Sequence, residues 1–283
     1  MTTYAVTGAS GQLGEKIVRA LLDLHASPFD VIALARDTAK VEDLAALGVR
    51  TREADYDKPE TLAAALEGVD RLVLVSGSEP GKRTAQHAAV IEAAEAAGVS
   101  RIVYTSLINA EDTTNGLAPE HVATEERLNT SPVETVALRN SWYLENYTAR
   151  IPGYLESGAI VGAAGDALIS GATRQDYAEA AAAALTAATV KPAYELGGEA
   201  FTLADLAAAV STASGTDVGY TNVTVEELAA GMQAAGMDAG TAGFWASIDA
   251  SIAAGDLYTE STDLAELIGR APTSLATAVA SAV

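Results

Sequence analysis

The chain has no cysteine among its 283 residues, which excludes disulfides, thiolate nucleophiles and thiolate-held metals. Its three histidines, His25, His87 and His121, stand far apart, so no histidine-rich metal site, and no metal, is expected. Cations are scarce: 17 Lys and Arg face 38 Asp and Glu, a formal net charge of −21. Such a surface repels phosphate backbones and anionic lipid, so neither nucleic acid nor membrane is an expected partner. The same scarcity means that a site for an anionic ligand has to gather its few cations locally. Long apolar runs are missing too: they are alanine-rich and interrupted, which argues against a membrane span even though 49% of residues are hydrophobic. The first residues read as a strand rather than a charged, then apolar, leader, and with the missing cysteine this fits a cytoplasmic protein. No repeat or low-complexity linker divides the chain.

What is present begins with Gly8-Ala9-Ser10-Gly11-Gln12-Leu13-Gly14. It follows a β-prone run, Tyr4-Ala5-Val6-Thr7, and precedes apolar residues at Leu13, Ile17, Val18, Leu21 and Leu22, a helical repeat. Glycine makes up 24 of the 283 residues, so the pattern alone is weak; its place between strand and helix gives it weight. Gly8 permits a tight turn, Gly11 lets backbone approach a pyrophosphate, and Gly14 lets the helix pack closely on its strand. The helix start offers unpaired N–H groups and partial positive charge to phosphates. A dinucleotide cofactor is the reading that follows.

Strand and helix patterns then alternate. Strands are expected at Tyr4–Thr7, Val31–Ala35, Thr51–Glu53, Leu72–Ser76, Ile102–Thr105 and Thr135–Leu138, with helices at Leu13–Leu24, Val41–Leu47, Pro59–Leu66, Ala85–Ala97 and Glu120–Thr130. Past Ser141 helices dominate: Gln175–Ala188, Leu203–Thr212, Val225–Ala235, Ala246–Ala253 and Ser274–Ala282, with one strand, Ala193–Leu196, returning to the main sheet. The expected fold is α/β, a Rossmann-like doubly wound parallel sheet with a small, mainly helical C-terminal lobe. Residues 1–199 form the dinucleotide-binding domain, parts of 141–172 line the substrate cleft, and 200–283 form the lobe.

Several positions carry chemistry. Arg36, ending the second strand, stands where an acidic residue would mark NAD; its planar fork suits a 2′-phosphate, a contact worth about 2 kcal/mol. Lys40 follows and could assist. Asp55-Tyr56 lies where an adenine would sit, or else forms a helix-capping loop. Ser76-Gly77-Ser78 follows the fourth strand beside the cofactor's ribose; the cations of Gly81-Lys82-Arg83 either approach phosphates or decorate a turn. Ser106 fills the serine position of short-chain dehydrogenases, but their Tyr-x-x-x-Lys is replaced by His121 and Glu125 at the same i, i+4 spacing. Alcohol oxidation through a tyrosinate is therefore not expected. His121 supplies a proton with Glu125 orienting it, or the pair is structural. Asn140-Ser141-Trp142-Tyr143-Leu144-Glu145-Asn146-Tyr147 places aromatics and amides where a nicotinamide ring and a flat substrate would meet. Phe244 and Trp245 read as core or lid.

As a set, Thr7–Gly14, Ala54-Asp55-Tyr56, Ser78-Glu79 with Gln86-His87, Tyr104–Leu107, Glu120-His121 with Thr124-Glu125, Arg139–Tyr147, Gly162–Asp166 and Ala172-Thr173-Arg174 resemble the NmrA-like branch of atypical short-chain dehydrogenase/reductases. Within it they look like the bacterial type 2 NAD(P)H:quinone oxidoreductases, the likeness weakening after about residue 200. The resemblance implies NADP(H) held by Gly8, Ser10, Gly11, Gln12, Leu13, Gly14, Arg36, Asp55, Ser76, Gly77, Ser78 and Ser106. It implies a small aromatic or quinone substrate over the Asn-x-Trp-Tyr region; the residues expected to face it are Asn140, Ser141, Trp142, Tyr143 and Glu145, and the expected catalytic set is His121, Asn140 and Tyr143. Ser141 stands where that family commonly has glycine. Hydride would pass directly from NADPH to a quinone, without flavin. Alternatives are a reductase of triphenylmethane dyes or another conjugated acceptor, and a non-catalytic NADP(H)-binding redox sensor. A homodimer is the assembly left open.

Overall fold

The computed structural model describes residues 2–24 and 26–283; His25 lies outside them. Its strands in chain order are β1 (Tyr4–Val6), β2 (Val31–Ala35), β3 (Arg50–Glu53), β4 (Arg71–Leu74), β5 (Arg101–Leu107), β6 (Glu134–Asn140), β7 (Ala159–Gly162), β8 (Ala193–Leu196) and β9 (Gly219–Asn222). The α-helices are α1 (Gly14–Asp23), α2 (Glu42–Ala46), α3 (Pro59–Ala65), α4 (Arg83–Ala97), α5 (Ala118–Asn129), α6 (Glu145–Thr148), α7 (Ile151–Ser157), α8 (Arg174–Thr186), α9 (Leu203–Ser214), α10 (Val225–Ala234), α11 (Ala239–Ala253), α12 (Asp263–Ile268) and α13 (Leu275–Ala280).

Seven strands form one sheet in the order β3-β2-β1-β4-β5-β6-β8, every pairing parallel. Alternate residues feed opposite faces: Val6, Val73 and Val103 join α1 and α8, whereas Ala5, Leu72 and Ile102 join α3, α4 and α5. Alanines 178, 180, 181, 182 and 184 of α8 are buried, which lets α8 lie close against α1 and the sheet. The end of α8 is held by Arg101, which donates to the carbonyls of Ala184 and Ala187 and pairs with Glu134. The chain leaves β1 toward β2 on one side and reaches β4 on the other, and this switch point opens a crevice at the carboxyl ends of the strands.

The expected α/β class, parallel sheet and helical lobe are what the chain adopts, and β8 joins β6 as anticipated. The loosely patterned half holds more than the sequence suggested. Strands β7 and β9 form a second, two-stranded parallel sheet, and α6, α7 and α12 were not foreseen. The lobe's core joins Trp142, Tyr147 and Tyr154 to Phe201, Leu206, Ile248 and Ile252, so it draws on chain from before residue 200. In the other direction, Leu264 of α12 packs back into the core of the large sheet.

Candidate active site

A single cavity of about 450 Å³ runs along the switch point from the glycine turn to Asn140–Tyr143. At its nucleotide end Gly8 sits at φ +60, and its carbonyl accepts from Gly11 N–H at 2.9 Å. A Cβ at Gly14 would lie 2.3 Å from the Gly8 carbonyl oxygen, so only glycine brings α1 this close to β1. Among the described residues the N–H groups of Gln12 and Leu13, at the start of α1, donate to no backbone carbonyl. They are donors at a helix N-terminus, lining the cavity with Gly8, Ser10, Gly11 and Gly14.

Arg36 lines the far end, its exposed guanidinium donating to Glu79 Oε1 at 3.1 Å. Lys40 does not reach the cavity wall. Asp55 shapes the loop before α3 but does not cap that helix, whose N-cap is Lys58. The Asp55 Oδ1 accepts from Asp57 N–H at 3.1 Å, closing a turn, while the residue lines the cavity. Sequence reasoning left Tyr56 without a role of its own; its hydroxyl donates to Val75 O at 3.0 Å and meets Thr7 Oγ1, fastening the third-strand loop to the switch point.

The loop after β4 is tied down from several sides. Ser76 N–H donates to Thr105 Oγ1 at 2.9 Å, and Gly77 N–H donates to His87 Nε2 at 3.0 Å. An N–H can only donate, so the neutral His87 ring carries its proton on Nδ1. That proton goes to Thr124 Oγ1 at 2.9 Å, whose own hydrogen goes to Glu120 O at 2.8 Å. Burial and then the Arg83 charge push the His87 imidazole down to about 4. Of the adjacent cations, Lys82 faces out and pairs with Glu79 at 2.8 Å, whereas Arg83 turns inward and donates from Nε to Gly77 O at 2.6 Å.

At the acceptor end the i, i+4 pair does not act as a pair. Ser106 and Glu125 do meet, the serine hydroxyl donating to Oε1, but the carboxylate's other partner is Arg139, at 2.6 Å from Oε2. Arg139 also holds Glu195 at 3.0 Å, a half-buried network outside the cavity lining. His121 Nδ1 lies 2.8 Å from the hydroxyl of Tyr104, a fully buried strand residue that the sequence did not flag. Burial, then Arg83 and His87, depress His121 to about 3, so the ring is neutral at neutral pH. A neutral ring has no imidazolium proton to return, which opposes the expected proton-donor role while His121 still lines the cavity.

Asn140 is buried, and its Oδ1 has no partner among the described residues. The Tyr143 phenol beside it is raised above its ordinary value by burial, opposed by the Asn140 amide and Arg174, and stays protonated. The Arg174 guanidinium lies over the Tyr143 ring, 4.4 Å from its centroid, a cavity contact that sequence reasoning had not assigned. Ser141 turns its hydroxyl to Leu257 O at 2.9 Å, anchoring the floor to the lobe. Trp142 is buried against Trp245, and Trp245 packs on Phe244, so both lobe aromatics are half-buried against the lobe's core. Glu145 is not brought to the cavity: its carboxylate accepts from Arg174 N–H at 2.9 Å, capping α8, because a helix N-terminus draws the nearest anion. Among the described residues no group of three His, Asp or Glu could hold a metal ion, and no helix is long and apolar enough to cross a membrane.

The family model described as NAD(P)H-binding matches residues 8–188. Quinone oxidoreductase 2 of Escherichia coli is 43% identical over 277 residues, 97% of this chain and 96% of that protein. The crystal structure of the NADPH-dependent quinone oxidoreductase from Escherichia coli complexed with NADPH superposes with a TM-score of 0.95 and covers 99% of both chains. The Citrobacter sp. triphenylmethane reductase complexed with NADP(H) gives a TM-score of 0.94 at 35% identity, covering 99% of this chain and 100% of that one. Matched over most of its length by that model, and by a relative across nearly all of it, the chain belongs to the NAD(P)H-binding family, as its likeness to NmrA-like reductases implied.

Proposed function

We propose that the chain reduces quinones with NADPH by direct hydride transfer, without a flavin. The observation that carries this is the continuity of one cavity from a phosphate-suited glycine turn to a floor of aromatic and amide side chains. The likeness to the Escherichia coli quinone oxidoreductase supports it. The residues fit a dinucleotide. A Cβ would fill the cradle at Gly14, Gln12 and Leu13 offer helix-start donors, and Arg36 stands at the mouth for a 2′-phosphate. The buried, unpartnered Asn140 Oδ1 suits the amide hydrogens of a nicotinamide carboxamide.

A bound dihydronicotinamide supplies the hydride, and the protein supplies alignment and electrostatics. Asn140 orients the reacting ring, and the Tyr143 phenol, held protonated, offers a hydrogen bond to the acceptor. His121 stays neutral and donates no full proton, so solvent returns the second hydrogen to the product. A hydroquinone anion is delocalised, and the step does not require a strong acid.

The test mixes purified, flavin-free protein with NADPH and a panel of quinones and triphenylmethane dyes, following absorbance of the reduced cofactor. Consumption with quinones is expected. Tight NADPH binding with no consumption by any quinone would overturn the reading, and turnover of dyes alone would move the chain to the dye reductases.

A further inference from the structure

Arg83 is a buried cation that meets no carboxylate among the described residues. It is 8% exposed, its Nε hydrogen bond to Gly77 O is its one side-chain contact to an acceptor among the described residues, and its Nη1 is enclosed without a partner. The other two arginines that line the cavity, Arg36 and Arg174, each hold at least one carboxylate. Carboxylates are not scarce in a chain with 38 of them. Glu120 on the facing helix is engaged elsewhere: its Oε1 accepts from the backbone N–H groups of Gly81 and Arg83, at 3.0 and 3.2 Å. Arg83 also opens α4, where the helix dipole disfavours a positive charge. Burial, missing counter-ion and dipole all oppose this guanidinium, an arrangement that persists where a ligand brings the missing charge.

The anion it awaits is not the pyrophosphate, whose donors are at the glycine turn. Arg83 lines the same cavity as His121, Asn140 and Tyr143, and its charge acts on His121 and Tyr143. We propose that Arg83 is a catalytic residue that takes the negative charge developing on the acceptor's oxygen, and that it favours acceptors carrying an anionic oxygen beside the ring. This rests on the quinone reading above. In that reaction the C–H bond of the dihydronicotinamide breaks and its electron pair passes with the hydrogen to the quinone. The displaced carbonyl π pair becomes a phenolate lone pair, leaving the cofactor oxidised. A solvent proton then completes the hydroquinone. The phenolate exists only from the transition state onward, so a cation held ready beside it lowers the barrier more than it tightens substrate binding.

The experiment measures binding first. Protein saturated with NADP⁺ is titrated with 2-hydroxy-1,4-naphthoquinone, an anion at pH 7, and with neutral 1,4-naphthoquinone, following quenching of Trp142 at the cavity wall. In Arg83→Gln the anion's affinity falls about ten-fold or more, the neutral quinone's stays within about two-fold, and NADP⁺ binding is unchanged. In turnover of 1,4-naphthoquinone the same variant loses kcat with little change in KM. Arg83→Lys keeps the charge and restores most of the anion preference; it decides the matter if Arg83→Gln does not fold. Equal loss of both quinones, unchanged anion binding, or weakened NADP⁺ binding with the anion unaffected would each overturn the assignment. A wild type that oxidises no NADPH with any quinone sinks the activity reading instead, and the anion seat is then judged on the binding ratio alone.

Discussion

The two ends of the cavity are built on different principles. The nucleotide end is mostly backbone: a glycine turn, helix-start N–H groups and one exposed arginine, supplied by consecutive residues and the strand that follows. The acceptor end is side chains from distant segments: Arg83 from α4, His121 from α5, Asn140 and Tyr143 at the end of β6, and Arg174 from α8. A backbone cradle fails when something is added to it. A side-chain site fails when something is taken away, and what it binds depends on which charges are left unpaired.

The largest effect should come from adding one carbon to the cradle. In Gly14→Ala the new Cβ sits 2.3 Å from the Gly8 oxygen and 2.7 Å from its carbonyl carbon, both backbone, so α1 must move off β1. A loss of about 3 kcal/mol in urea melts is expected, with NADPH binding weakened by a hundred-fold or more. Gly11→Ala is the graded control, since its Cβ approaches the same oxygen only to 3.2 Å and should be far milder in the melts. Equal losses in the two variants would mean that close approach of α1 is not what the glycine at 14 secures.

A smaller effect should appear with pH, and it belongs to the side-chain end. His87 and His121 titrate at about 4 and about 3 in the folded chain, below the ordinary 6.5. The unfolded chain therefore binds more protons between those values, and stability falls as pH is lowered from 6.5. By pH 5 each buried ring should cost about 2 kcal/mol relative to pH 7. The His87→Gln variant cannot ionise there, so its urea midpoint should fall less steeply over the same window, although it starts lower for want of the Gly77 contact. An unchanged slope would show that His87 is not held neutral. Because His121 is already neutral, quinone turnover should show no limb between pH 6 and 8 from that ring.

The same division explains what could be read from the sequence. The alternation of strands and helices, the cradle and the expectation of a dinucleotide follow from local period, glycine spacing and position after β1, all short-range signals. Strands β7 and β9 were missed because each is four residues long and their pairing joins positions 160 and 220, which no local pattern links. Glu145 was misread for the opposite reason: its place after β6 suggested substrate, but the start of α8, reached through the Tyr143–Ala172 bridge, claims its carboxylate. Lys82 and Arg83 are neighbours with one composition and two fates, one bound to Glu79 in solvent and one enclosed. The sequence pattern started the helix at Ala85, so it did not show Arg83 opening the helix against the dipole.

The smallest effect concerns the one place where the nucleotide end also depends on side-chain charge. Arg36 donates to Glu79, whose carboxyl Lys82 and then Arg36 hold below its usual range. A 2′-phosphate must compete with that carboxylate for the guanidinium fork. The Arg36→Ala change should therefore weaken NADPH about ten-fold while leaving NADH nearly unchanged, less than a preformed, uncontested phosphate site would lose. Glu79→Gln runs the competition the other way: it keeps the shape, removes the charge and should tighten NADPH about three-fold, again without effect on NADH. Paired titrations of both cofactors against both variants measure this directly. If Glu79→Gln weakens NADPH, the carboxylate is positioning Arg36 rather than competing for it, and the nucleotide end depends on a side-chain network as the acceptor end does.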